Sequence, residues 1–245
     1  MKKLIALMLS VVFIFSIIPA GNAHAADINQ QAGQAYADIV QEYLNTFETV
    51  KNNPDYDWEK SPVNTEFIIA SQYEVNKHTI YRIMDYNNDG IPELFIGLSG
   101  GTIYDVYTFD KGKAVQLMSN IGYRAGTCIL CKNGIIKDMW SGSAFENGVK
   151  FHKLQKNKNK LTTIIELTYD SSSATGDVIC MKKVNGRKTK ISTKQYTRLY
   201  KKYDKPVSET FYKADSKAVT SIRQGSFTYP DQKKWTRKTG RKTYS

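Results

Sequence analysis

TIYRIMDYNNDGIPELFIGL, residues 79–98, decides how this chain folds. Two runs rich in β-branched and aromatic residues enclose a nine-residue stretch, 85–93, crowded with Asp, Asn and Gly. That texture, short strand-forming runs broken by turn residues, continues downstream. Strands are expected near 79–85, 93–98, 103–109, 113–118, 127–132, 135–140, 149–155, 161–169 and 177–184. Lys111-Gly112, Asn133-Gly134 and Asn185-Gly186 are hairpin signals, because Gly supplies the positive φ that tight turns need. Asn157-Lys158-Asn159-Lys160 reads as a polar loop. Turns at this interval predict an antiparallel β-meander of about eight or nine strands rather than βαβ units.

Outward from this region the periodicity changes. Tyr36, Ile39, Val40, Tyr43, Leu44, Phe47 and Val50 recur at helical spacing over 33–50, and Asn52-Asn53-Pro54 stops the run. The stretch through Trp58 and Pro62 reads as a loop, and 65–73 is ambiguous between helix and strand. Ser192 or Thr193 can cap a helix whose Tyr196, Leu199, Tyr200 and Tyr203 form one face, expected to dock on the sheet. From Gln224 to Ser245 the chain has isolated aromatics among Lys, Arg, Thr and Gly, with no period, and is expected to be a mobile tail. The fold class is α+β: an N-terminal amphipathic helix, an antiparallel meander, a short C-terminal helix and a basic tail. The divisions are 1–25 signal peptide, 26–62 helix and linker, 63–223 β-rich domain, and 224–245 tail.

Lys2 and Lys3 precede an almost wholly apolar run over 4–18, and Ala23-His24-Ala25 offers the small residues a signal peptidase reads, so the mature chain is expected to begin at Ala26. The apolar run is shorter than the ~20 residues that span a bilayer. No later stretch is apolar enough to span one, no Cys precedes Cys128 to take a lipid, and the C-terminus lacks an apolar wall-sorting segment. The expectation is a secreted protein, free or retained without a covalent link.

The formal net charge of +12 conceals an asymmetry. Residues 182–245 hold 19 Lys or Arg against 4 Asp or Glu, whereas 26–181 hold 14 against 19. Lys182, Lys183, Arg187, Lys188 and Lys190, then Lys194, Arg198, Lys201 and Lys202, then Lys233, Lys234, Arg237, Lys238, Arg241 and Lys242 form three basic clusters with Tyr and Trp between them. Outside a cell such a surface meets polyphosphate wall polymers, anionic lipid headgroups or released nucleic acid, and binds them through counterion release. No RNA- or DNA-binding motif is present. A solvated basic face is the competing account.

The chemistry-bearing element is Asp85-Tyr86-Asn87-Asn88-Asp89-Gly90-Ile91-Pro92-Glu93. Ca²⁺ is a hard cation that takes about six to eight oxygen ligands. Asp85, Asn87, Asp89 and Glu93 place side-chain oxygens at alternating positions of the loop, and Gly90 permits the sharp turn that lets the Ile91 carbonyl contribute. Three carboxylates neutralise one Ca²⁺ with a charge to spare. The loop is not an EF-hand, because Ile96 stands where a bidentate Glu belongs and the flanks read as strands. Asp, Asn and Gly also make ordinary polar turns; the full ligand set at these intervals exceeds what a turn requires. One site of this kind binds in about the 10⁻⁴ to 10⁻³ M range, which suits a rigidifying role.

The D-x-N-x-D-G-x-x-E spacing resembles the strand-flanked calcium loops of integrin-type β-propellers. Tyr81-Arg82-Ile83-Met84-Asp85, Glu93-Leu94-Phe95-Ile96-Gly97, Tyr104-x-Val106-Tyr107 and the turn at Gly112 also resemble an uncharacterised domain of secreted proteins and lipoproteins of Gram-positive bacteria. That likeness runs over 81–203, through Asn185-Gly186, Ile191-Ser192 and Tyr196, and departs in the basic tail. It implies a fold and a metal loop but no activity.

Other signals are weaker. Cys128-Ile129-Leu130-Cys131 has redox spacing but reads as a strand rather than a helix N-terminus, which points to buried thiols, one able to bridge to Cys180. Gly97-Leu98-Ser99-Gly100-Gly101 matches a nucleophile elbow, with Asp residues and His152 following, yet another strand rather than a helix succeeds it. His78 and His152 have no second ligand at zinc spacing. The sequence thus predicts a secreted, non-enzymatic, calcium-stabilised protein associated with the cell envelope or an extracellular partner. The alternatives are a secreted hydrolase without an assigned site and an inhibitor- or immunity-like binding protein.

Overall fold

The computed structural model describes residues 20–53, 55–57, 61, 63–73, 76–99, 102–119, 128–171 and 177–237, with side chains from residue 27 onward. Residues 1–19 of the expected signal peptide and 238–245 of the expected tail lie outside them. Helix α1 spans Ala20–Asn52 and runs through the expected cleavage point. Its Ala32, Tyr36, Val40, Tyr43, Phe47 and Val50 are buried, the face that the periodicity marked. The ambiguous run is a helix, α2, Thr65–Tyr73. Asn64 decides it, since its Oδ1 accepts from the Glu66 and Phe67 N–H groups at 2.8 and 3.2 Å and so caps the first turn.

Strands follow as β1 (Thr79–Met84), β2 (Glu93–Leu98), β3 (Thr102–Asp110), β4 (Lys113–Met118), β5 (Cys128–Cys131), β6 (Ile135–Ser141), β7 (Glu146–Leu154), β8 (Leu161–Asp170), β9 (Ile179–Val184) and β10 (Arg187–Ile191). Helix α3 (Thr193–Tyr203), β11 (Glu209–Lys213), α4 (Ser216–Arg223) and β12 (Lys234–Arg237) complete the order. The Lys111-Gly112 and Asn185-Gly186 pairs have positive φ at both residues, 48° and 81°, then 48° and 80°, and close two-residue hairpins. Ser192 caps α3 in a reciprocal capping box with Gln195, and Tyr196, Leu199, Tyr200 and Tyr203 pack over Val149, Phe151, Ile165 and Leu167.

The strands do not form one meander. They divide into two six-stranded antiparallel sheets, β12-β11-β1-β2-β3-β4 and β10-β9-β8-β7-β6-β5. The physical reason lies in β2, where every residue is buried. Leu94, Ile96 and Leu98 join a core with α1, α2 and α4, while Phe95 faces Leu130 and Ile136 of the second sheet. A strand apolar on both faces needs a cover on each side, and a single sheet with one wet face would leave half of these residues in water.

The expected tail is a further correction. Strand β11 returns to β1, with Tyr81 opposite Tyr212, and β12 pairs with β11 outside it. Between α4 and β12, Phe227 and Tyr229 pack against the first core; within β12, Trp235 packs against the second. Each aromatic anchors singly, so a test for periodicity finds nothing. Helix α4 lies so close to α1 that a Cβ on Gly33 would stand 2.0 Å from the Ile222 carbonyl oxygen. Segments 26–62, 63–223 and 224–237 therefore share one core rather than forming successive units. Among the described residues no helix is long and apolar enough to cross a membrane.

Candidate metal site

The β1–β2 connection reverses through Asn88 at φ 58° and Gly90 at φ 88°, and its carboxylates fold back onto the loop backbone. Asp85 Oδ1 accepts from the Asp89 N–H at 3.0 Å and Oδ2 from the Gly90 N–H at 2.9 Å. Asp89 Oδ1 accepts from the Ile91 N–H at 2.9 Å, and Oδ2 accepts from Asn87 Nδ2 at 2.9 Å. Glu93, 0% exposed, accepts from the Tyr86 N–H at 2.9 Å and from Thr108 Oγ1 at 3.4 Å. From α1, the Tyr36 hydroxyl donates to the Pro92 carbonyl at 2.7 Å and pins the end of the loop.

Asn87 and Asp89 are in direct contact, Asp85 reaches Asp89 through its backbone, and Glu93 joins at Tyr86. Ile91 turns its side chain toward the first core and its N–H toward Asp89. Among the described residues no three His, Cys, Asp or Glu side chains gather as a metal group. Any site here therefore has a mixed set of carboxylate, amide and carbonyl oxygens.

Two observations test whether that set fits a hard cation. Asn87 is 4% exposed, and its Oδ1 has no hydrogen-bond partner while its amide nitrogen faces Asp89. Buried amide oxygens are rarely left so. A half-turn of the amide, the two orientations being nearly isosteric, would set Oδ1 beside Asp89 Oδ2, an arrangement that repels unless a cation lies between them. Second, burial pushes the Glu93 carboxyl up to about 8, and the neighbouring charges of Asp89 and Asp85 add to the rise against the opposing Tyr86 N–H. A buried acid beside two others is relieved by a bound divalent ion. The loop offers oxygen donors of the kind a hard cation takes, although among the described residues no three acidic side chains gather at one point.

The loop also rests on residues that local sequence does not mark. The Asn157 N–H donates to Asp89 Oδ2 at 2.8 Å, Lys156 Nζ to the Asn88 carbonyl at 2.9 Å, and Asn87 Nδ2 to the Gln155 carbonyl at 3.4 Å. These lie 68 residues downstream, in the β7–β8 turn. A second buried acid, Asp105, receives hydrogen bonds from Tyr43 of α1 and Gln116 of β4, and burial raises its carboxyl above the ordinary range.

The hydrolase residues do not assemble. The Ser99 hydroxyl accepts from the His78 backbone N–H at 3.0 Å, and the His78 ring lies against Trp235. His152 sits in β7 of the other sheet with Thr163 at 3.1 Å. Strand β3 follows Ser99 where an elbow needs a helix. Cys128, Cys131 and Cys180 are buried and carry no disulfide, so the bridge considered for Cys180 is not formed. Of the basic clusters, one forms the β9–β10 hairpin, one the exposed side of α3, and part of the third lies in β12 of the first sheet.

Fold and loop together define a two-sheet α+β protein with a strand-flanked Asp/Asn/Gly loop. No family model and no curated protein matches the chain. A solved structure described as "Structure of a Xanthomonas Type IV Secretion System related protein" aligns at 17% identity over 45% of this chain and 57% of that one, with a TM-score of 0.32. The match thus spans little more than half of that chain, and a likeness so slight supports neither a fold assignment nor an activity.

Proposed function

We propose that the mature protein is a secreted, non-enzymatic, calcium-stabilised protein of the kind its 81–203 segment resembles, held at the cell envelope by an anionic polymer. The carrying observation is the orphaned Asn87 Oδ1, on a buried amide whose nitrogen faces Asp89, in a loop whose Glu93 is buried with two further acids nearby. In this reading Asp85, Asn87, Asp89 and Glu93 supply side-chain oxygens and Ile91 its carbonyl. The ion stiffens the β1–β2 connection and takes no part in catalysis. With a dissociation constant of about 10⁻⁴ to 10⁻³ M, 10 mM Ca²⁺ stabilises the fold by roughly 1.4–2.7 kcal/mol. The melting temperature then rises by about 3–10 °C over an EDTA-treated sample, and Asp85→Asn abolishes the difference. Titration calorimetry without heat at millimolar Ca²⁺, together with unchanged melting, would refute the metal assignment.

The envelope half is supported by α3. Lys194, Arg198, Lys201 and Lys202 are exposed opposite its tyrosine face, and none forms an ion pair among the described residues. The quadruple Gln variant of these four is expected to sediment several-fold less with purified cell walls at about 0.1 M salt, with a shallower salt dependence. Co-sedimentation indifferent to salt and to the four substitutions would exclude this surface.

A further inference from the structure

Four successive residues of the loop reach across to the second sheet. The Tyr86 hydroxyl contacts the Cys131 and Ile135 carbonyls at 2.6 and 2.5 Å and accepts from the Cys131 N–H at 2.9 Å. Asn87 packs against Gly134, where an added Cβ would stand 3.4 Å from its side chain, and donates to the Gln155 carbonyl. The Asn88 carbonyl receives Lys156 Nζ, and Asp89 receives the Asn157 N–H. Beside them Asn159 Nδ2 donates to Asp110 Oδ2 at 2.9 Å, joining the same β7–β8 turn to the end of β3. These bonds form a polar counterpart to the apolar junction of Phe95 and Val106 with Leu130 and Ile136.

The contacts divide into two kinds. Those of Tyr86 end on strand carbonyls and an aromatic packing against Phe95, and do not depend on the loop's charge. Those of Asn87 and Asp89 come from the same side chains that offer oxygens to a cation. Asp89 Oδ2 is shared between Asn87 and Asn157, so the position of one carboxylate decides whether the turn backbone has an acceptor. Without a cation the carboxylates of Asp85 and Asp89 repel one another and Asp89 has reason to swing toward water. A bound divalent ion holds it in place and leaves its outer lone pairs for the turn.

We infer that the 85–93 loop is a calcium-dependent clasp between the two sheets, in which Asn157 of the β7–β8 turn is a positioning residue whose N–H docks on Asp89 Oδ2 only when the ion holds that carboxylate. The clasp rests on the calcium reading of the loop. It extends the ion's effect from one hairpin to the junction of the whole second sheet.

The test is residue-resolved amide hydrogen exchange on the full secreted chain, in EDTA and in saturating CaCl₂, with calorimetry on the same preparation. The expected result is that exchange at Asn157 slows at least tenfold with Ca²⁺, while Val149 and Leu167, central in β7 and β8, change less than threefold. In Asp85→Asn the slowing disappears although the strand amides stay protected. Calorimetric binding with no slowing at Asn157 overturns the clasp and leaves the calcium site standing. Equal slowing throughout both sheets overturns it as well, since that is global stabilisation. Absence of any binding heat removes both the clasp and the reading beneath it.

Discussion

Cutting the chain after Arg223 is expected to lower the melting temperature by more than about 10 °C, rather than to release a dispensable basic tail. Gln232, 4% exposed, donates to the Tyr81 hydroxyl at 3.0 Å and to the Lys213 carbonyl at 2.8 Å. The Tyr81 hydroxyl in turn donates to the Phe227 carbonyl at 2.8 Å, so truncation strands a buried phenol without either partner. Tyr229 leaves Asp215, the cap of α4, and β12 leaves the edge of β11. Losing the contacts of the partly buried Phe227, Tyr229 and Trp235 costs about 1 kcal/mol or more each, the lost β12 pairing and Tyr229–Asp215 bond add to it, and an unsatisfied buried hydroxyl costs about 1–3 kcal/mol. The sum exceeds about 5 kcal/mol, or roughly 10–20 °C for a domain of this size. A circular-dichroism melt decides it, and a truncated protein melting within about 2 °C of the intact chain would mean that this segment does not hold the first sheet. The consequence for function is practical. Loss of polymer binding after truncation reports unfolding, so the contribution of the basic residues has to be measured by substitution.

Glu93→Gln is expected to stabilise the metal-free fold at alkaline pH and to weaken calcium binding. With the carboxyl pushed up to about 8, ionising Glu93 in the metal-free fold costs on the order of 5 kcal/mol relative to the unfolded chain. Because the folded value lies above the unfolded one, the native state holds the extra proton between roughly pH 4.5 and 8. Stability of the EDTA-treated protein therefore falls with rising pH across that window, by up to about 1.4 kcal/mol per unit, and flattens above it. Gln carries no charge and keeps an oxygen for the Tyr86 N–H. At pH 8.5 without metal, the variant is expected to be roughly 2–4 kcal/mol more stable than the parent, after allowance for the weaker hydrogen bond. In 10 mM calcium the gap narrows by up to roughly 1.4–2.7 kcal/mol, because the ion stabilises the parent and the substituted amide supplies no anionic ligand. The apparent affinity of the parent should rise up to about tenfold per pH unit between pH 6 and 8, since the ion must displace the Glu93 proton. Denaturant titrations of both proteins at pH 6 and 8.5 separate these cases. A variant less stable than the parent in EDTA at pH 8.5 would show that Glu93 is accommodated as an anion by the protein alone.

Local signals in the sequence determined most of the elements. Tyr36, Val40, Tyr43, Phe47 and Val50 mark the buried face of α1 at helical spacing, and the Gly112 and Gly186 turns close the hairpins they predict. The Ser192 cap and the tyrosine face of α3 are where capping and periodicity place them. The Asp85–Glu93 loop was legible as a candidate metal site because its oxygens alternate within nine residues. The tertiary structure alone decided the rest. The division into two sheets turns on a strand buried on both faces, and the return of β11 to β1 joins residues more than a hundred positions apart. Gln232 meets Tyr81 across 151 residues, and Asn157 meets Asp89 across 68. Helical period, turn geometry and capping arise between residues a few positions apart and leave a pattern in any short window. Sheet closure and the docking of one turn on another depend on which distant surfaces find each other apolar or oppositely polar, and no short window contains both partners.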